Sequence, residues 1–85
     1  MPRQWGGHEY VWRQLANDLS ARIADGTYPL GSPLPPEDEL AKEYAVARTT
    51  VRRALAELRK RKLIKPLHGY RNAVVAMPGP EGLPG

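Results

Sequence analysis

Arg48, Thr49, Thr50, Arg52 and Arg53 lie within six consecutive residues and carry most of the chemistry visible in this chain. A guanidinium presents a rigid fork of N–H donors that fits the O6 and N7 acceptors of a guanine, or the oxygens of a phosphate. A threonine adds a hydroxyl for a phosphate and a methyl group for the methyl of a thymine. Residues four apart stand one above the other on a helix, so Arg48 and Arg52 would share a face. The set suits recognition of a polyanion, through base edges or through phosphates. A solvated helix that happens to be basic would show the same residues, and the surrounding chain has to decide between these readings.

The element that must position them is a helix beginning near Ala47 and running toward a short strand at Lys65. At 100° per residue, Val51, Ala54, Leu55 and Leu58 fall within about 100° of arc, the width of a core-facing stripe. Thr49, Arg52, Arg53 and Ala56 lie opposite, with Arg48 at the margin. The helix therefore has an apolar back and a basic, hydroxyl-bearing front, and an α-helix fits the major groove.

Charge distribution points the same way. The net charge is +4, but Arg48 to Arg71 holds nine Lys or Arg and one acid, Glu57, whereas the rest holds four bases and eight acids. A segregated basic segment is the electrostatic footprint of a nucleic-acid binder. An anionic membrane fits less well, because the bulky apolar residues form a narrow stripe with no Trp or Phe to meet lipid. With 85 residues and no cysteine, a single small domain held by packing is expected, without disulfide or thiolate metal site. No apolar run approaches the roughly 20 residues of a membrane span, and the first residues lack a signal core; the expected location is the cytoplasm. An enzyme is poorly supported. His8 and His68 are far apart, no nucleotide-binding glycine loop is present, and Glu37 and Glu39 show no evident partner. No cofactor or metal is expected.

The remaining chain supplies neighbours for that helix. Residues 1–8 read as a flexible arm, and residues 9–76 as the folded domain. Val11, Leu15, Leu19 and Ile23 recur every four residues, predicting a first helix from about Glu9 to Ala24, closed by Asp25-Gly26. Thr27 to Pro36 is a Pro/Gly-rich connector that excludes helix, although Ser32 to Leu34 is compatible with a very short strand. A second helix is predicted from Pro36 or Glu37 to Tyr44, its Glu37, Asp38 and Glu39 suiting the positive end of the helix dipole and its Leu40, Ala41 and Tyr44 facing the core. Ala45 to Ala47 then forms the turn of a helix-turn-helix. Leu63 to Pro66 and Ala73 to Ala76 read as a hairpin around Leu67 to Asn72, with Pro66 at a strand edge or end. Residues 77–85 read as a disordered Pro/Gly-rich tail. The fold class is mainly α with a small β-hairpin.

These residues in this order resemble the winged helix-turn-helix DNA-binding domain of GntR-family bacterial transcription regulators, three helices and a two- or three-stranded wing. The resemblance is carried by Leu34-Pro35-Pro36-Glu37 with Glu39-Leu40-Ala41, by Arg48, Thr50-Val51-Arg52, Ala54-Leu55 and Leu58, and by Leu63-Ile64, Gly69 and Val74. It implies that Arg48, Thr49, Thr50 and Arg52 contact bases and phosphates in the major groove, and that His68 and Gly69 form a wing tip approaching the minor groove. It implies a double-stranded, pseudo-palindromic operator, binding as a homodimer, and repression as the commoner mode. Arg53, Arg59, Lys60, Arg61, Lys62 and Lys65 would then mainly neutralise phosphate.

The chain departs from the family pattern in places. Pro36 and Ala47 replace N-capping hydroxyls, each loss costing ~1 kcal/mol. Lys62 replaces a common glycine. In the wing, Gly69-Tyr70-Arg71-Asn72 replaces Gly-x-Gly-Thr, which adds a cation, Arg71, for a narrow minor groove. Nothing after Met77 reads as the effector-binding domain that most relatives carry. The rival reading is a winged helix that serves as a protein–protein interaction module.

Overall fold

The computed structural model describes residues 10–67 and 71–78. Three helices, α1 (Val11–Ala24), α2 (Glu37–Tyr44) and α3 (Arg48–Lys60), precede two antiparallel strands, β1 (Ile64–Pro66) and β2 (Asn72–Val74). The α3 stripe is the centre of the packing: Val51, Ala54, Leu55 and Leu58 are all buried, and α3 meets α1, α2 and β1. Leu15, Leu19 and Ile23 of α1 and Leu40 and Tyr44 of α2 close over it. Each fully buried leucine or isoleucine contributes roughly 1.5–3 kcal/mol, so this one stripe holds the basic front in place.

The helix ends show how the chain turns between elements. After α1, Gly26 takes a φ of 90°, the left-handed conformation expected of it. After α2, Ala45 adopts φ 56°, with its N–H bonded to the Lys42 carbonyl and the Val46 N–H bonded to Ala41. After α3, Lys62 adopts φ 63°, with its N–H on Arg59 and the Leu63 N–H on Leu58. Both are Schellman closures built without glycine, at a steric cost of about 1 kcal/mol each. The helix starts match the loss of capping hydroxyls: Pro36 and Ala47 are extended and make no side-chain cap bond.

The hairpin pairs Ile64 with Val74, Lys65 with Ala73 and Pro66 with Asn72. Its strands are shorter than the sequence suggests. The Leu63 N–H is already committed to closing α3, so β1 begins at Ile64; β2 begins at Asn72, opposite Pro66. The connector contributes the predicted third segment as an isolated bridge between Pro33 and Ala73. Gly31 N–H donates to Val74, Val74 N–H to Ser32 and Leu34 N–H to Asn72, at 2.8–2.9 Å. β2 is therefore the middle of the three, and Pro66 lies at the outer end of β1, where its missing donor costs nothing.

A polar staple joins α1 to α2. Arg22 donates to Glu43 at 2.7 Å, lies 3.5 Å from Asp18 and covers the Tyr44 ring at 5.1 Å, while the Tyr44 hydroxyl donates to Asp18 at 2.8 Å. Burial, reinforced by that bond, pushes the Tyr44 phenol well above the usual tyrosine range, so it stays a donor at neutral pH. The arm expected at residues 1–8, the tail from residue 79 on, and the wing-tip residues His68 and Gly69 lie outside the described residues. Met77 and Pro78 have no regular structure.

Candidate nucleic-acid interface

Arg48, Thr49, Arg52 and Arg53 are exposed on the front of α3 and Thr50 is half-buried, as the apolar stripe behind them dictates. The front is not uniform. Arg52 Nε donates to Glu37 Oε1 at 3.0 Å, yet the Arg52 side chain remains 57% exposed. The carboxylate thus holds the guanidinium by its inner edge and does not fold it into the protein. Glu37, which shows no partner in the sequence, has one in the fold. The two residues are 15 apart and meet only because the turn brings the first turn of α2 against α3. Glu37, Asp38, Arg48 and Arg52 together line an open cup of about 500 Å³.

Arg53 is oriented differently. Its guanidinium lies 5.0 Å from the centroid of Trp12 on α1, and that of Arg13 lies 5.4 Å from the same ring. The Tyr10 ring stacks on Trp12 at 6.2 Å. Cation–π contacts of this length contribute ~0.5–1 kcal/mol when exposed. Arg53 therefore ties α3 to the start of α1 as well as facing solvent. Trp12 Nε1 is buried without a hydrogen-bond partner among the described residues.

At the other end of α3 the cations differ in what their side chains touch. Arg61 is only 16% exposed; its Nε donates to Glu57 at 2.9 Å and its Nη2 to Asn17 of α1 at 3.0 Å. Arg59 donates to the buried Asn72 Oδ1 at 3.2 Å, joining α3 to β2. Both guanidiniums tie α3 to neighbouring elements, Arg61 largely covered and Arg59 still exposed. Lys60, Lys62 and Lys65 are exposed. At the wing, Arg71 is exposed, and its carbonyl accepts the Leu67 N–H at 2.7 Å, closing the loop at its base.

The geometry brings together Arg48, Thr49 and Arg52 as one outward cationic patch and leaves Arg53 on its flank. Sequence reasoning missed that Glu37 and Asp38 belong to the patch. Their acidic side chains in a first helical turn explain themselves as dipole partners, and no spacing rule joins them to α3. Among the described residues, no group of three or more His, Cys, Asp or Glu side chains is placed to hold a metal ion, and no helix is long and apolar enough to cross a membrane.

Comparison with known proteins meets this geometry from another side. Residues 12–74 match the profile of "Bacterial regulatory proteins, gntR family". An uncharacterized HTH-type transcriptional regulator of Mycobacterium tuberculosis is 41% identical over 73 residues, covering 86% of this chain and 29% of that protein. The mannosyl-D-glycerate transport/metabolism system repressor of Escherichia coli is 36% identical over 63 residues, covering 74% and 26%. Among solved structures, a GntR family transcriptional regulator from Listeria monocytogenes superposes with a TM-score of 0.78 at 28% identity, covering 84% of this chain and 62% of that one. The chain spans between about a quarter and a third of the length of the curated relatives it matches first.

Proposed function

The chain belongs to the GntR family of bacterial regulatory proteins, and from that premise we propose that it binds double-stranded operator DNA through α3 and regulates transcription. The family and the fold are those of helix-turn-helix regulators and not of an enzyme. The observation that carries the reading is the outward patch of Arg48, Thr49 and Arg52 on a helix whose back is wholly buried. Laid in the major groove, α3 puts the Arg52 terminal nitrogens, or those of Arg48, against guanine O6 and N7. Thr49 and Thr50 meet a phosphate or a thymine methyl. Lys60, Lys62 and Lys65 supply phosphate contacts that set orientation without reading sequence. The wing, with His68, Gly69 and Arg71, meets the adjacent minor groove.

Two copies on a pseudo-palindromic site complete the reading. Two-fold-related copies would place their recognition helices about one turn of DNA apart, roughly 34–36 Å. Repression is the mode favoured by the name of the Escherichia coli relative, and a DNA-bound regulator would work in the cytoplasm. The test is selection of bound duplexes from a random pool, followed by titration against salt. A recovered motif with two-fold symmetry supports the reading, as does log affinity falling with log salt by about 0.9 per phosphate neutralised. Binding that is equal on every duplex defeats it.

A further inference from the structure

The cup between α2 and α3 has a charge pattern that phosphate binding does not explain. A surface made only to hold the DNA backbone gathers cations, because each neutralised phosphate releases counterions. Here two carboxylates, Glu37 and Asp38, stand among two guanidiniums, Arg48 and Arg52, around one concavity. The four formal charges cancel. Attraction to phosphate is weak at such a place, and what remains is a pattern of hydrogen-bond donors and acceptors.

Glu37 and Asp38 are not equivalent. Glu37 is 19% exposed and accepts from Arg52 Nε at 3.0 Å, so its role is to hold that guanidinium. Asp38 is exposed and makes no ion pair or hydrogen bond to another described residue through its side chain. Its carboxylate can only accept. In the major groove a G·C pair shows two acceptors, N7 and O6 of guanine, and then one donor, the N4 amino group of cytosine. A guanidinium beside a carboxylate is the complement of that edge.

We propose that Asp38 is a specificity-determining residue, accepting a hydrogen bond from the N4 amino group of a cytosine at or next to the base pair whose guanine Arg52 reads. The assignment rests on the DNA-binding reading above and deepens it. Carboxylates accept from cytosine N4 in major-groove recognition generally, and near the backbone they repel. One residue therefore does two things: it favours cytosine at one position and weakens binding to every other sequence. This is discrimination by a repulsive element as well as an attractive one.

The experiment is selection from random duplexes with the wild-type chain, Asp38→Ala and Asp38→Asn, each checked for its thermal transition, followed by titration on the selected site and on single-base variants. For Asp38→Ala we expect one position, at or beside the guanine lost in Arg52→Ala, to lose roughly five- to tenfold of its cytosine preference. Binding to unrelated duplexes should tighten. Asp38→Asn should move the same position toward adenine, whose N6 and N7 an amide reads. An unchanged sequence pattern, with affinity raised equally on all duplexes, overturns the proposal and leaves Asp38 as a mere source of repulsion. A wild-type chain that yields no motif overturns the DNA-reading proposal itself, a distinguishable failure. A motif that shifts in Arg52→Ala and not in Asp38→Ala sinks this inference alone.

Discussion

The two halves of α3 carry similar numbers of cations and use them in opposite ways. In the N-terminal half, Arg48 and Arg52 stand exposed, and the one bond their side chains make among the described residues, from Arg52 to Glu37, leaves Arg52 turned outward. In the C-terminal half Arg59 reaches Asn72, and Arg61, just past the end of α3, is drawn down against Glu57 and Asn17. A count of cations alone presents both halves as interfaces. Side-chain partners separate a mainly displaying half from a mainly fastening one, with Arg53 on Trp12 and the exposed Lys60 as the exceptions, so the number of positive residues overstates the number available to a polyanion.

Four substitutions test that division, beginning with the largest expected effect. Arg52→Ala should cost ~1–3 kcal/mol at one base pair and relax sequence choice there, with little change in melting, read by titration on specific and random duplexes. Equal losses on both would erase the distinction for the displaying half. Arg61→Ala should do the reverse. It should lower unfolding stability by about 1 kcal/mol, because two acceptors in a half-buried site lose their donor, while the folded protein binds DNA as before; chemical denaturation and titration together read this out. Lys62→Gly should raise stability by about 1 kcal/mol, since glycine adopts a φ of 63° without steric cost, and the loss of this one cation should leave base preference untouched. The smallest effect belongs to Lys60→Ala, which should reduce the slope of log affinity against log salt by about 1 and shift all sequences alike. A change in base preference from Lys60→Ala would blur the boundary between the halves.

The stripe of Val51, Ala54, Leu55 and Leu58 was fully legible because helical periodicity and burial are the same fact seen twice. The second helix was legible to within one residue at its start, Pro36 or Glu37, since proline suits a first helical turn and three acids follow it; the helix begins at Glu37. The strands were less so. Whether Leu63 joins β1 depends on where its N–H goes, and that is settled by the closure of α3, not by β-propensity. The site divides likewise. Which residues are cationic is written in the chain; which of them are tied down is not. Glu37 with Arg52 and Asn17 with Arg61 are 15 and 44 residues apart, and only the packing angle of three helices brings them together. The same holds for Arg53, whose neighbour Trp12 belongs to α1.

That last contact makes the molecule its own gauge. An indole with guanidiniums 5.0 and 5.4 Å from its ring emits differently once one of the two cations departs. If Arg53 leaves Trp12 to meet a phosphate, the ring's emission will report the moment of engagement without any attached dye. With Trp5 replaced by phenylalanine to silence the other emitter, docking kinetics become readable from intrinsic light alone.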